Sequence, residues 1–314
     1  KLPHEMRIVY FGTPDFAIPP LKLLHQSTHE IISIVTSPDK KSGRGLNVRK
    51  SPIKKQGEKF SIPVLQPNDF NDDEFISNLR KVKADIFIVV AFKKLPSQIF
   101  TIPKHGSINL HASLLPKYRG AAPIFHALLN GEKETGITTF VINEKIDEGM
   151  ILLQEKIHVS ENANSADLHD ALSHGGARLL LETINKIEAD DINPIKQKND
   201  FFSKAPKIKK TDCKIDWNKK SVDIHNLIRA LSPRPGAFTF LEQKRMKIFS
   251  TRMDIIDIHK ELSPGEICYF NSNLLVGTVD GYIIVDEIQL EGKGKMNVND
   301  FYPGHQYING MTFA

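Results

Sequence analysis

The 314-residue sequence holds only two cysteines and one tryptophan. Cys213 and Cys268 are far apart and stand in no metal-ligand spacing. A disulfide framework and a zinc site are therefore excluded as organising principles, and no metal is expected; both thiols read as packing residues in a reducing compartment. Long apolar runs are also missing. A bilayer-spanning helix needs about 20 consecutive apolar residues, so no membrane association is expected. The opening residues, KLPHEM, are too polar for a secretory signal, which points to the cytoplasm. Lys1 to Glu5 precede the first plausible strand and read as a tag or a short extension. The glycines form no three-glycine dinucleotide fingerprint and no phosphate loop with its Lys-Ser/Thr pair. Internal repeats and low-complexity tracts are absent.

What remains is the composition of an ordinary folded chain, 40% hydrophobic and 25% charged,. Its length suggests about two domains. The net charge of +5 is unevenly spread. From Asp39 to Lys59 eight Lys or Arg face two acidic residues, and from Lys204 to Arg252 thirteen face four. Residues 253 to 314 are net negative. Segregation of this kind fits a polyanionic partner, although two solvated basic faces would look the same.

Short β-branched runs alternate with helical stretches through the first half: RIVYF, EIISIVT, SIPVLQ, ADIFIVVA and SINLHAS. Near-continuous apolar strands of this type predict a mostly parallel Rossmann-like sheet with helices on both faces. Ligands of such sheets sit beyond the carboxyl ends of the strands. TGITTFVIN and MILLQEKIHV read as two further adjacent strands, and Ser165 to Glu188 as a long amphipathic helix. Periodicity is then lost over residues 191–209, which reads as a linker. The rest opens with a helix, SVDIHNLIRAL, and continues as short strands divided by Gly and Asn turns. That pattern predicts a small OB-like β-barrel over residues 210–314, after an α/β domain over residues 1–190.

The stretch INLHASLLPKYRGAAPI places Asn109 and His111 on one face of the fifth strand, near its carboxyl end. Two polar groups there are costly to bury unless something satisfies them. Asp147, in the turn EKIDEGM, is the best third partner. A carboxylate orients a histidine, and an Asn amide is a neutral donor for a developing oxyanion. No nucleophile accompanies them, because Ser113 lacks the G-x-S-x-G elbow. The attacking group should then belong to a substrate, and the reaction implied is transfer of a small acyl group to an amine or to water. Taken singly, each residue has a plainer role: a satisfied core histidine, a turn-capping asparagine, a turn aspartate.

SINLHASLLPKYRGAAPI together with INEKIDEGMILLQ resembles the folate-dependent formyltransferase family. YFGTPDFA, the basic loop SPDKKSGRGLNVRKSPIK and the tail from IDWNKKS narrow the resemblance to the branch that acts on methionylated initiator tRNA. The similarity covers nearly the whole chain. It implies that 10-formyltetrahydrofolate is the formyl donor and co-substrate. Asn109 would hold the formyl oxygen, His111 would polarise or protonate it, and Asp147 would hold His111 and position a water. Ser113, Leu114, Leu115 and Pro116 would line the folate cleft. Lys40, Lys41, Arg44, Arg49 and Lys50 would touch the acceptor stem, with Lys209 and Lys210 meeting the RNA from the C-terminal domain. A monomer is expected.

Two departures from the family pattern stand out. AFKKLPSQ carries Lys93 and Lys94 where an aromatic-Gly pair is usual, which puts folate contacts there in doubt. SPRPGAF carries Arg234 where an aromatic is usual. The alternatives left open are transfer to a sugar-nucleotide amine and hydrolysis of 10-formyltetrahydrofolate. The glycinamide-ribonucleotide branch fits less well, since it lacks the second domain, and so does a non-catalytic RNA-binding protein.

Overall fold

Seven strands make the first sheet, in the order Ile151–His158, Glu134–Val141, Ser107–His111, Ile86–Val90, Arg7–Gly12, Glu30–Val35, Val64–Leu65. The computed structural model describes residues 5–42 and 47–314. They fall into two compact units. Lys1–Gly120, Glu134–His158 and His169–Lys204 form the first, and Ala121–Lys133, Val159–Leu168 and Ala205–Ala314 form the second.

In the first unit the pairing is parallel from Ser107–His111 across to Val64–Leu65. The last two strands, Glu134–Val141 and Ile151–His158, are antiparallel additions. The sheet is therefore mostly parallel, as the apolar runs predict. Its middle strand shows why. All five residues of Ile86–Val90 are buried, and β-branched side chains suit a strand covered on both faces,. Asp73–Lys81 illustrates how the sequence forms a covering helix. The Asp72 side chain caps its start by accepting from the Glu74 N–H at 2.9 Å,. Asp73 and Glu74 lie in its first turn and Arg80 and Lys81 in its last, complementing the helix dipole,. Its buried face, Phe75, Ile76 and Leu79, packs into a core with Val9, Phe11, Val35, Phe87 and Val89.

From Arg7–Gly12 the chain builds outward on one side, then returns to lay Ile86–Val90 on the other. The strand order reverses between those two, and a ligand crevice is expected there. In register, Gly12 stands beside Val90 and Val90 beside Leu110. His111 thus lies one residue further on, at the carboxyl edge next to the reversal. The outer strands are admitted by a glycine: a Cβ at Gly136 would lie 2.1 Å from the Glu155 carbonyl oxygen and 2.5 Å from Leu114 Cδ2.

The second unit is built on a six-stranded antiparallel sheet, ordered Ala237–Leu241, Lys244–Arg252, Gly281–Leu290, Asn273–Thr278, Ile267–Phe270, with Met296–Asn297 pairing with Gly281–Leu290. The last residues join its edges. Phe240 and Ala314 exchange backbone hydrogen bonds at 3.0 and 3.1 Å, and the Ile267 N–H donates to the Met311 carbonyl at 2.8 Å. Trp217 stacks on Phe313 and donates its indole N–H to Thr239 at 3.0 Å. Helix Ser221–Leu231 presents buried Ile224, Ile228 and Leu231 as well as three polar residues, His225, Asn226 and Arg229. His225 Nδ1 lies 3.0 Å from the Thr251 hydroxyl, and burial pushes its pKa below the ordinary 6.5.

One element has no apolar alternation to announce it. Within the basic loop, Lys40–Ser42 pairs antiparallel with Asn47–Arg49. Its base is tied down through Asp39, whose carboxylate accepts from Lys54 Nζ at 2.6 Å and from Gln66 Nε2 at 2.8 Å. Those hydrogen bonds hold the Asp39 carboxyl below its usual range.

Candidate active site

Strand Ser107–His111 is pinned on both sides, with Asn109 beside Val89 and Phe140 and with His111 beside Thr138. This fixes the two polar side chains on one face, a pleat apart. His111 is buried. Its Nε2 lies 2.9 Å from the Tyr118 carbonyl oxygen. A carbonyl only accepts, so Nε2 is the nitrogen that carries hydrogen toward Tyr118. Nδ1 points the other way, 3.8 Å from Asp147 Oδ2. That gap is longer than a hydrogen bond and within reach of one bridging water. Asn109 is half-buried, and among the described residues its amide has no hydrogen-bond partner.

The groups facing His111 sit on unusual backbone. Tyr118 has φ 59° and Asp147 φ 55°, both in the left-handed region that non-glycine residues rarely adopt,. Strained positions of this kind persist only where the surroundings over-determine them. Here they do. The Asp147 carboxylate accepts from the Gly120 N–H at 2.8 Å. The Tyr118 N–H donates to the Ser203 hydroxyl at 2.9 Å. Gly149 closes the turn in a place no other residue fits, since a Cβ there would lie 1.6 Å from the Val141 carbonyl oxygen.

The predicted triad is thus close in space for His111 and Asp147, with Asn109 one pleat back on the same strand face. The predicted folate-lining residues divide. Ser113 is fully buried and donates its hydroxyl to the Lys117 carbonyl at 2.6 Å, which leaves it unsuited to nucleophilic attack. Leu115 is buried with Phe140 and Ile151. The Thr138 hydroxyl ties both down, donating to the Ser113 carbonyl at 2.6 Å and accepting from the Leu115 N–H at 3.1 Å. Ser113 and Leu115 therefore shape the loop from inside, while Leu114 and Pro116 keep surface.

Of the basic residues, Lys40, Arg49 and Lys50 are exposed, Lys50 in an ion pair with Glu58 at 2.8 Å. Lys41 lies in the first strand of the hairpin. Arg44 falls outside the described residues. Lys209 and Lys210 are exposed in the second unit, and Lys93, Lys94 and Arg234 are exposed as well. Among the described residues no cluster of metal-ligating side chains occurs, and no helix is long and apolar enough to cross a membrane.

Three residues of the site were not legible beforehand. Gln197, in the stretch expected to be a linker, is buried and donates from Nε2 to the carbonyls of Asp147 and Gly149 at 2.9 and 2.8 Å. Arg119 donates from Nε and Nη2 to Gln197 Oε1 at 3.1 and 2.6 Å, and its Nη1 lies 3.5 Å from Glu148. Arg119 stood within a quoted motif without a role, and Gln197 and Glu148 carried no periodic or spacing signal.

Residues 6–184 match the family described as formyl transferase, and residues 207–306 match the formyl transferase C-terminal domain. The methionyl-tRNA formyltransferase of Thermodesulfovibrio yellowstonii is 44% identical over 305 residues, covering 97% of each chain. That of Alkaliphilus oremlandii is 41% identical, covering 97% of this chain and 98% of its own. Among solved structures, the fold resembles an N-formyltransferase from Helicobacter canadensis in complex with folinic acid and dTDP-3-aminofucose. The TM-score is 0.68 at 20% identity, over 93% of this chain and 100% of that one. It also resembles HypX from Aquifex aeolicus in complex with tetrahydrofolic acid, with TM-score 0.65 and 18% identity over 95% of this chain and 47% of that one.

Proposed function

The chain belongs to the formyl transferase family, and from that premise we propose that it moves the formyl group of 10-formyltetrahydrofolate to the α-amine of methionylated initiator tRNA. The observation that carries this reading is similarity at 44% identity across 97% of both chains to a methionyl-tRNA formyltransferase. The co-substrate supplies an activated formyl carbon on a nitrogen leaving group. The open amide of Asn109 and the Nδ1 edge of His111 fit such a group, since the amide can donate to a carbonyl oxygen, and Nδ1 can do so once it carries a proton, without breaking an internal hydrogen bond.

The geometry supports a role for each residue. Asn109 donates to the formyl oxygen, and more strongly once attack by the amine turns it into an oxyanion. His111 works through Nδ1, because Nε2 is committed to the Tyr118 carbonyl. Asp147 faces that same nitrogen and stabilises positive charge on the ring, and the space between them suits a water that carries protons. The amine nitrogen forms its bond to the formyl carbon and gives up a proton. The oxyanion then collapses, and the bond to the folate nitrogen breaks as that nitrogen gains a proton. Ser113 and Leu115 hold the loop that Leu114 and Pro116 present to folate.

The same reading assigns catalysis to the first unit and RNA binding to the basic stretch of sequence that holds Lys40, Lys41, Arg44, Arg49 and Lys50, together with Lys209 and Lys210 of the second. Phosphate contacts by such residues position the RNA and weaken with salt. The enzyme works as a cytoplasmic monomer. The test is a comparison of three acceptors under one set of conditions: methionyl initiator tRNA, a dTDP-linked amino sugar, and water alone. Rapid transfer to the tRNA with slow reaction of the other two supports the proposal. Faster transfer to the sugar, or formate release at an equal rate without tRNA, overturns it.

A further inference from the structure

The turn that carries Asp147 is gripped at three successive residues by two side chains outside it. Gln197 Nε2 donates one hydrogen to the Asp147 carbonyl at 2.9 Å and the other to the Gly149 carbonyl at 2.8 Å. The residue between them, Glu148, has its carboxylate 3.5 Å from Arg119 Nη1. The two grips are joined, because Arg119 Nε and Nη2 both donate to Gln197 Oε1, at 3.1 and 2.6 Å. A guanidinium has no acceptor and a carbonyl has no donor. The amide of Gln197 can therefore sit only one way round, oxygen to Arg119 and nitrogen to the turn. Arg119 and Gln197 are both buried, so the assembly is shielded from competing water,.

We propose that Gln197, oriented by Arg119, is a positioning residue that sets the backbone of Asp147–Gly149 and thereby the place of the Asp147 carboxylate against His111 Nδ1. The inference rests on the role proposed above for Asp147. The need for such a clamp lies in the backbone. Asp147 has φ 55°, a conformation a free aspartate leaves readily,. Its two-point hold from Gln197 keeps the carboxylate 3.8 Å from Nδ1 and 2.8 Å from the Gly120 N–H. Gln197 touches neither His111 nor Asn109 in these contacts, so its effect on the reaction passes through the turn.

Steady-state kinetics of the full-length enzyme test this. Gln197→Ala should lower kcat by about tenfold or more, since a small misplacement of a reacting group is costly. KM values for methionyl-tRNA and folate should stay within about threefold of the parent. Gln197→Glu keeps the size of the side chain and its acceptors for Arg119 while removing both donors to the turn. It should lose kcat in the same way, and it serves if the alanine variant does not fold. Lys196→Ala, at the exposed neighbour, should match the parent. The decisive comparison adds Gln197→Ala to Asp147→Asn. A clamp acting through Asp147 predicts a double variant no slower than Asp147→Asn alone. Independent, multiplying losses overturn the proposal, and so does a parent-like kcat in Gln197→Glu. Parent-like turnover in Asp147→Asn would instead overturn the underlying catalytic reading, which the single variants separate from failure of the clamp.

Discussion

Replacing Asp147 with asparagine removes one negative charge and little else. Asparagine keeps an oxygen to accept the Gly120 N–H, now found at 2.8 Å from the carboxylate. It is also among the few non-glycine residues that tolerate φ 55°, so the turn should survive,. What is lost is the attraction between the carboxylate and a positive imidazole ring in the transition state. The closest approach is 3.8 Å, and both side chains are about nine-tenths buried. At an effective dielectric of about 20, opposite unit charges at that separation attract by about 4 kcal/mol. Each ~1.4 kcal/mol is a factor of ten in rate, so the ceiling on the loss is on the order of a thousandfold. Solvent and relaxation of the site reduce it, and a fall in kcat on the order of a hundredfold is expected. Single-turnover transfer of labelled formyl from 10-formyltetrahydrofolate measures the step directly. Thermal unfolding should show Tm within a few degrees of the parent. If Asp147→Asn turns over at near-parental rate, the carboxylate does not act on His111 and the mechanism fails. If transfer and Tm collapse together, Asp147 is a structural residue.

Four further outcomes are expected. His111→Ala should lower turnover on the order of a hundredfold or more while leaving methionyl-tRNA affinity within about twofold, as titrated by filter binding; an unchanged rate would make His111 a packing residue. Arg44→Ala should raise the KM for methionyl-tRNA, most at low salt, with folate affinity unchanged, and identical tRNA kinetics at low and high salt would remove the hairpin from the RNA interface. Gly149→Ala should destabilise the fold by more than about 3 kcal/mol in urea unfolding, because its Cβ would meet the Val141 carbonyl oxygen at 1.6 Å,. His225 has its pKa lowered from 6.5 by burial, so below that pH the unfolded chain takes up a proton that the folded chain refuses,. Stability should therefore fall as pH drops from 6.5 toward the folded-state pKa, and His225→Gln should flatten that slope; an unchanged slope would remove His225 as its source,.

The parts of the molecule that the sequence displayed are those whose physics is local and repetitive. Helices Ser165–Glu188 and Ser221–Leu231 have the bounds their apolar spacing predicts. The parallel strands announced themselves as apolar, β-branched runs, and the carboxyl-edge position of His111 followed from its place near the end of its own strand. Asn109 and His111 could be placed on one face because a strand alternates with period two. The hairpin Lys40–Ser42 with Asn47–Arg49 stayed hidden because its strands are three residues each and hold Val48 as their one apolar residue, too little for an alternation to show. Gln197 stayed hidden for another reason. It lies 50 residues from Asp147, and hydrogen bonds between residues so far apart leave no period. The orientation of Ser113, whose hydroxyl turns inward to the Lys117 carbonyl, is set by the loop conformation, which no strand or helix period announces.

The central claim is that the formyl carbon passes to the amine of methionyl-tRNA with His111 and Asp147 facing the reacting atoms. A single turnover with enzyme in excess over methionyl initiator tRNA, started with formyl-labelled 10-formyltetrahydrofolate, tests it most directly. The account predicts that the label appears as N-formylmethionine released from the tRNA by mild base, and that in Asp147→Asn it appears in the same product on the order of a hundredfold more slowly. Label recovered as formate, or left on folate while methionyl-tRNA remains unmodified, would contradict it.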